Sequence, residues 1–186
     1  SNSIALAKNG KFIIANNNIT VYDSTLKKVT DIETEYSYAT SISADDQCIA
    51  AAGSDNAIVS IIRGSKIDQT IQIYKDSISC ISISSVFNLV AVGTQDGSIV
   101  VCSATSGNLI GIIPLSEYRN PISKPNDNND FNYGVVEFAH LKPMKVLITP
   151  VWGFIVVYCT EISRCKLMHS IFVFTINGRF VRQCKI

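Results

Sequence analysis

A repeated strand–turn–strand pattern is the feature of this sequence that most restricts its fold. An apolar strand, a tight polar turn and a second apolar strand recur four times, at a spacing of about 40 residues. The clearest copies lie at 41–59 and 82–102. β-branched residues are abundant, turns are marked by Gly, Asn and Asp, and no stretch has sustained helical periodicity. The chain is therefore predicted to be all-β, and strand repeats of this length are typical of a β-propeller.

Each repeat is interpreted as four antiparallel strands, which make one propeller blade. In the third repeat these strands are predicted at 78–84, 89–94, 99–102 and 109–113. The whole chain, 1–186, is predicted to be one partial propeller with blades at 1–31, 32–74, 75–113 and 135–186. Propellers close with about 4 to 8 blades, and the chain does not begin with Met. We therefore expect a fragment of a larger ring, with exposed edges at both ends.

The composition favours a folded domain and argues against several partners. Apolar residues make up 47% of the chain and charged residues only 17%, which is enough to build a core. Sixteen basic and fifteen acidic residues give a net charge of +1, so charge provides no attraction to nucleic acid or to anionic lipid. The longest apolar runs have the length of strands, which argues against membrane insertion. Six cysteines without a Cys-x-x-Cys pair are predicted to be buried thiols in a reducing, cytoplasmic setting.

A Trp-Asp ending can be aligned at the third strand of every repeat. Residues 16–23 (NNNITVYD) fit the pattern Asp-Gly-Thr-Ile-x-Leu-Trp-Asp, and the corresponding segments of the other repeats fit it less well. The Trp position is then occupied by Tyr22, Ile61, Cys102 and Phe174. The chain thus resembles a degenerate WD-repeat propeller, and this resemblance implies a seven-bladed complete ring. Asp55 and Asp96 fit the turn aspartate of that family, whereas the full polar tetrad is absent.

The last repeat carries a more specific resemblance. The segment 152–158 (WGFIVVY), followed by 169–180 (HSIFVFTINGRF), is similar to the C-terminal propeller of BEACH-domain proteins, most clearly over 147–182. The resemblance implies a non-enzymatic scaffold for protein–protein interactions in vesicle traffic, lysosome or autophagy processes. It also implies a cytoplasmic protein, peripheral to endomembranes, with further blades and a BEACH domain upstream. An unrelated WD-repeat adaptor and, less favoured, a propeller enzyme with a site at the central channel are the alternatives.

A long loop at 114–134 interrupts the spacing between the third and fourth repeats. Loops longer than about 12 to 15 residues in a compact fold are either functional or disordered. One interpretation is a tolerated insertion; the other is a partner-binding loop, because aromatic residues and Arg are enriched at interface hot spots. The candidate partner-binding residues are Tyr118, Arg119, Phe131 and Tyr133. Trp152, in contrast, is predicted to be a turn residue whose ring covers the edge of its blade.

The sequence offers little support for catalysis. The only histidines, His140 and His169, have no Ser, Cys or carboxylate partner at a spacing that marks a nucleophilic site. The acidic stretch 126–130 lacks the Gly and the terminal Glu of an EF-hand calcium loop. We therefore predict no catalytic residue, no metal site and no cofactor, and a partner that is another protein.

Overall fold

A computed structural model describes residues 3–7, 9–15, 18–34, 39–53, 57–73, 77–118, 141–163 and 166–186. These residues form four antiparallel sheets of four strands each, and in every sheet the strands are adjacent in chain order. Blade 1 contains β1 (Ser3–Leu6), β2 (Phe12–Ala15), β3 (Asn18–Tyr22) and β4 (Lys28–Glu33). Blade 2 contains β5 (Ala39–Ala44), β6 (Cys48–Gly53), β7 (Ile58–Arg63) and β8 (Lys66–Gln72). Blade 3 contains β9 (Ile78–Ser84), β10 (Leu89–Thr94), β11 (Ser98–Ser103) and β12 (Leu109–Pro114), and blade 4 contains β13 (Leu141–Ile148), β14 (Phe154–Ser163), β15 (Lys166–Thr175) and β16 (Phe180–Lys185).

The predicted all-β partial propeller is thereby confirmed, and blade 3 matches its predicted strands to within one residue. The accuracy comes from explicit turn signals, because a tight turn needs a residue that tolerates positive φ. Gly97 supplies this residue between β10 and β11 with φ of 86°. The side chain of Asp96 closes the same turn, since its Oδ1 accepts the Ser98 N–H at 3.0 Å and the Thr94 hydroxyl at 2.6 Å. The predicted role of Asp96 as the turn aspartate is confirmed, whereas Asp55 lies outside the described residues.

The hydrophobic core is divided into three clusters, each between two neighbouring blades. One cluster joins blades 1 and 2, a second joins blades 2 and 3, and the third joins blades 3 and 4. The first strand of each blade contacts the first strand of the next. The first strands therefore line the inner side of the propeller, and each blade depends on its neighbours for burial of its faces.

The aligned Trp positions lie on the third strand of each blade, as the pattern predicts. Ile61 on β7, Cys102 on β11 and Phe174 on β15 are buried between blades, and Tyr22 on β3 is half-buried. The position that holds a large aromatic ring in the WD-repeat pattern is thus kept as a core position here. Smaller side chains suffice in blades 2 and 3.

Two predicted boundaries were wrong. Blade 1 extends beyond residue 31 to the end of β4 at Glu33, because Asn18 pairs with Glu33 across the sheet. The loop predicted at 114–134 does not begin at Pro114, since Pro114 is the last residue of β12 and Leu115–Tyr118 forms a 3-10 helix. Leu115 is fully buried, and its N–H donates to the Gly97 carbonyl at 3.0 Å. The start of the predicted loop is therefore fixed against blade 3.

Candidate functional site

A groove opens where the first strands of the four blades end. We call this side of the propeller the turn face, because it carries the turns that join the first and second strands of each blade. The groove has a volume of about 340 Å³, and all four blades contribute to its walls. Its lining residues are Leu6 from blade 1, Ser43, Ala44, Asp45, Asp46 and Gln47 from blade 2, Ser82, Ile83, Ser84, Ser85 and Val86 from blade 3, and Leu147, Ile148 and Pro150 from blade 4.

Exposed apolar side chains surround this groove. Leu6 and Leu147 lie at the ends of β1 and β13 and are 62% and 55% exposed, and Val86, in the turn after β9, is 76% exposed. The turn after β13 adds Val151 at 73% and Trp152 at 77%. This turn lies beside the turn of blade 3, because a Cβ on Gly153 would be 3.3 Å from the ring of Phe87. The turn face thus combines a groove with an exposed apolar rim.

Asp45 fixes the wall of the groove between blades 2 and 3. Its Oδ1 accepts the N–H groups of Gln47 and Cys48, each at 2.9 Å, and the hydroxyl of Ser85 at 2.9 Å. Its Oδ2 accepts the Ser85 N–H from the neighbouring blade. Burial alone would raise the pKa of Asp45, but the hydrogen bonds from the Cys48, Ser85 and Gln47 main chain and the Ser85 hydroxyl outweigh it and lower the pKa. Asp45 is therefore a structural carboxylate, ionised near neutral pH.

Two serine hydroxyls hold consecutive first strands together at the groove. The Ile83 N–H on β9 donates to Ser43 Oγ on β5 at 3.1 Å, and the Ile148 N–H on β13 donates to Ser82 Oγ on β9 at 3.0 Å. In both bonds the acceptor lies on the preceding blade and the donor on the blade that follows. The boundary between blades 1 and 2 has a related contact, in which Asp46 Oδ1 accepts the Asn9 N–H at 3.0 Å. The walls of the groove are thus fixed by side-chain to main-chain hydrogen bonds.

The structure gives Tyr118 a role within the chain. Its ring contacts Phe174 edge-on, with 5.1 Å between centroids, and stacks on Phe180 at 5.2 Å. Tyr118 therefore connects the end of blade 3 to blade 4. The other proposed partner-binding residues, Arg119, Phe131 and Tyr133, lie outside the described residues, and their role stays a prediction.

Of the described histidine and cysteines, Cys48 lies next to the wall of the groove, since its Sγ is 2.7 Å from Ser85 Oγ and 3.7 Å from Asp45 Oδ1. The rings of His169 and Tyr158 are parallel on blade 4, with 2.6 Å between His169 Nδ1 and the Tyr158 hydroxyl; His140 lies outside the described residues. Four cysteines are buried free thiols and Cys184 is half-buried, whereas Cys165 lies outside the description. Burial raises the pKa of the Cys48, Cys80 and Cys102 thiols. Burial also raises the pKa of Cys159 to about 12, and the nearby Cys80 thiol adds to this shift. These buried thiols are therefore protonated and weakly nucleophilic at neutral pH.

The described part of the chain lacks two features that would indicate other functions. No group of three or more His, Cys, Asp or Glu side chains is arranged to hold a metal ion there. Within the same residues, no helix has the length and apolar character needed to cross a membrane.

The sequence did not reveal the groove, and its prediction for Trp152 was half right. Trp152 is a turn residue as predicted, but its 77% exposure shows that the ring does not bury itself against the edge of the blade. A signal was available in the sequence, because Val86 and Val151 are large apolar residues at matching positions next to polar turns, and Trp152 follows Val151 directly. Isolated exposed apolar residues are common, so only their meeting around the groove makes this signal meaningful.

Comparisons with known proteins support the fold alone. No protein-family model and no curated protein matches the sequence. Among solved structures, the chain is similar to the hydrazine synthase of Kuenenia stuttgartiensis, with a TM-score of 0.71 and 16% identity over 99% of this chain and 48% of that one. It is also similar to the yeast protein KlHsv2 with loop 6CD replaced by a Gly-Ser linker, with a TM-score of 0.66 and 11% identity over 96% of this chain and 52% of that one. The chain thus spans about half the length of these structures and shares their propeller-like fold.

Proposed function

We propose that this chain is a non-enzymatic protein-interaction scaffold that binds its partner on the turn face. The observation that carries the proposal is the groove of about 340 Å³ together with exposed Val86, Val151 and Trp152 in the turns beside it. Contiguous exposed apolar surface marks interaction sites, and Trp is among the residues most enriched at binding hot spots. The blades that carry these residues have buried interfaces, so the site is built on a rigid framework.

We place this scaffold in the class suggested by the last blade, a BEACH-type protein with a WD-repeat propeller. Support comes from the resemblance over 147–182 and from the propeller-like fold. In this proposal the protein acts in vesicle traffic, lysosome or autophagy processes, in the cytoplasm and peripheral to endomembranes. Reading the gene upstream of the codon for Ser1 tests the class: a BEACH domain supports it, and an unrelated upstream region favours an independent WD-repeat adaptor.

Site-specific photo-cross-linking tests the binding face. We expect p-benzoylphenylalanine at position 86 or 152 to form covalent adducts with a partner protein in cells, because both side chains project from the turn face. The matched control has the same amino acid at position 95, which is exposed in the turn joining β10 and β11 at the opposite end of blade 3. Adducts are identified by mass spectrometry after purification under denaturing conditions.

The same experiment has a clear negative outcome. Adducts that form equally at 95 and at 86 or 152 would show non-selective contact, and adducts that form only at 95 would assign binding to the other face. Either result contradicts the proposed function. A specific partner captured from 86 and 152 but not from 95 supports it.

The loop offers a separate test of the earlier prediction for Arg119, Phe131 and Tyr133. If these residues bind the partner, replacing 119–134 by a Gly-Ser linker of equal length should greatly reduce the yield of adducts from position 152. The replacement keeps Tyr118, whose ring packs on Phe174 and Phe180, so blade 4 retains this contact. We expect unchanged cross-linking if the turn face alone is sufficient, and that result would remove the partner-binding interpretation of the loop.

A further inference from the structure

We propose that the groove binds an extended peptide segment that inserts an apolar side chain and carries arginines on either side of it. This inference rests on the proposed function, because it specifies the chemistry of a partner for the same face.

The shape and lining of the groove suit one large apolar side chain. Leu147 and Val86 provide exposed aliphatic surface from two blades, buried Ile148 and Ile83 lie beneath them, and Leu6 adds surface from blade 1. A volume of about 340 Å³ accommodates an aromatic or aliphatic side chain with part of its backbone. Removing such a side chain from water is favourable by about 1.5–3 kcal/mol when burial is complete.

The charge of the walls selects for basic residues next to that side chain. Asp45 and Asp46 are the charged residues that line the groove in the described part of the chain, and both are acidic. The hydrogen bonds that lower the pKa of Asp45 keep it ionised, and Asp46 is exposed. A carboxylate pair beside apolar walls repels an acidic segment and attracts a basic one, which sets specificity more than affinity.

Trp152 favours arginine over lysine in the bound segment. Its ring is exposed on the turn that contains Pro150, a lining residue of the groove. A guanidinium group stacks on an indole face and donates to carboxylates in a planar fork, whereas an ammonium group is a compact hydrated charge. An arginine two residues from the inserted side chain lies on the same side of an extended peptide, so it can reach the rim while the apolar residue fills the groove.

Binding of synthetic peptides to the 186-residue chain tests the inference. The probe is a fluorescein-labelled, C-amidated peptide with the core Arg-Ser-Phe-Ser-Arg, and fluorescence anisotropy gives its Kd. We expect replacement of both Arg by Glu, or of Phe by Ser, to weaken binding by about tenfold or more. Replacement of both Arg by Lys should weaken binding less than replacement by Glu, and added salt should raise the Kd.

Variants of the chain locate the binding site. D46N should raise the Kd about two- to fivefold, because it removes one exposed ion pair with the peptide. L147S should raise the Kd by about tenfold, because it removes apolar contact surface. E117Q and L109S are the matched controls, because they make the same chemical changes at exposed positions on the 3-10 helix and on β12. Both controls should leave the Kd unchanged, and circular dichroism confirms that each variant is folded.

Several results would overturn the inference. Equal binding of the Arg and Glu peptides, no measurable binding of the Arg peptide at millimolar concentration, or equal effects of D46N and E117Q would each contradict it. The proposed function is judged separately, because the cross-linking from positions 86 and 152 does not depend on the chemistry of the partner. Cross-linking without peptide binding would reject the basic peptide and keep the turn face as the binding site.

Discussion

Replacing Phe174 by alanine should lower the free energy of unfolding by about 3–5 kcal/mol. The Phe174 side chain is fully buried in the cluster between blades 3 and 4. It also contacts the rings of Tyr118 and Phe180 edge-on, with centroid distances of 5.1 and 5.8 Å. Truncation leaves a cavity at a boundary that the sheets on both sides cannot collapse to fill, because their strands are held by hydrogen-bonded ladders. Urea denaturation followed by circular dichroism measures the loss.

Two further variants keep this prediction testable, because a loss of that size approaches the total stability of a small domain. F174L removes less volume and should lower the free energy of unfolding by a smaller amount, about 1–2 kcal/mol. F180A removes a ring that is 36% exposed, and it should cost less than F174A. A loss below about 1 kcal/mol for F174A would contradict the burial of this side chain between the blades.

Replacing Asp45 by alanine is expected to lower the free energy of unfolding by about 2–3 kcal/mol. The Asp45 carboxylate accepts hydrogen bonds from the Gln47, Cys48 and Ser85 main chain and from the Ser85 hydroxyl. Its removal leaves these donors to be satisfied by water at a partly buried boundary between blades 2 and 3. Chemical denaturation measures the free energy of unfolding of D45A and of the control variant D68A. Asp68 forms an exposed ion pair with Arg63, whose loss should cost less than about 1 kcal/mol.

The pH dependence of the Asp45 contribution has a definite sign. The pKa of Asp45 is lower in the folded chain than its ordinary value of 3.8. A carboxyl group with a depressed folded-state pKa stabilises the fold above its unfolded pKa, and this contribution is lost as the pH falls through the folded value. The stability difference between the native chain and D45N should therefore be constant from about pH 5 to 7 and should shrink below about pH 4. A difference that grows on acidification would contradict this role.

The strands could be predicted from the sequence where turns carry explicit chemistry. Blade 3 was predicted to within one residue because Asp96 and Gly97 mark one turn and Ser106 and Gly107 another. The predicted end of blade 1 at residue 31 was wrong, because Asp31 lies within β4 and its side chain accepts the Thr20 hydroxyl across the sheet at 2.7 Å. A short polar side chain on an exposed strand looks the same as a turn residue in a single sequence.

The groove could not be predicted, because its walls come from residues far apart in the chain. Leu6 and Leu147 meet at one groove only when four blades are stacked around an axis. Hydrophobic periodicity assigns each of them to a strand but gives no information on which strand ends become neighbours. The position of Leu115 shows the same limit, since this buried residue donates its N–H to the Gly97 carbonyl in a turn formed earlier in the blade.

The serine hydroxyls on the first strands also restrict which blades can be duplicated or exchanged in such a chain during evolution. Ser43 and Ser82 each accept a buried main-chain N–H from the blade that follows. A blade that is duplicated or transplanted into this position must therefore bring an acceptor of the same reach, since an unsatisfied buried N–H costs about 1–3 kcal/mol. In these two bonds the following blade contributes only its main chain, so they place no requirement on its side chains. Between blades 2 and 3 and between blades 3 and 4, the acceptor thus lies on the preceding blade, so a blade inserted after it can satisfy this bond with any side chain of its own.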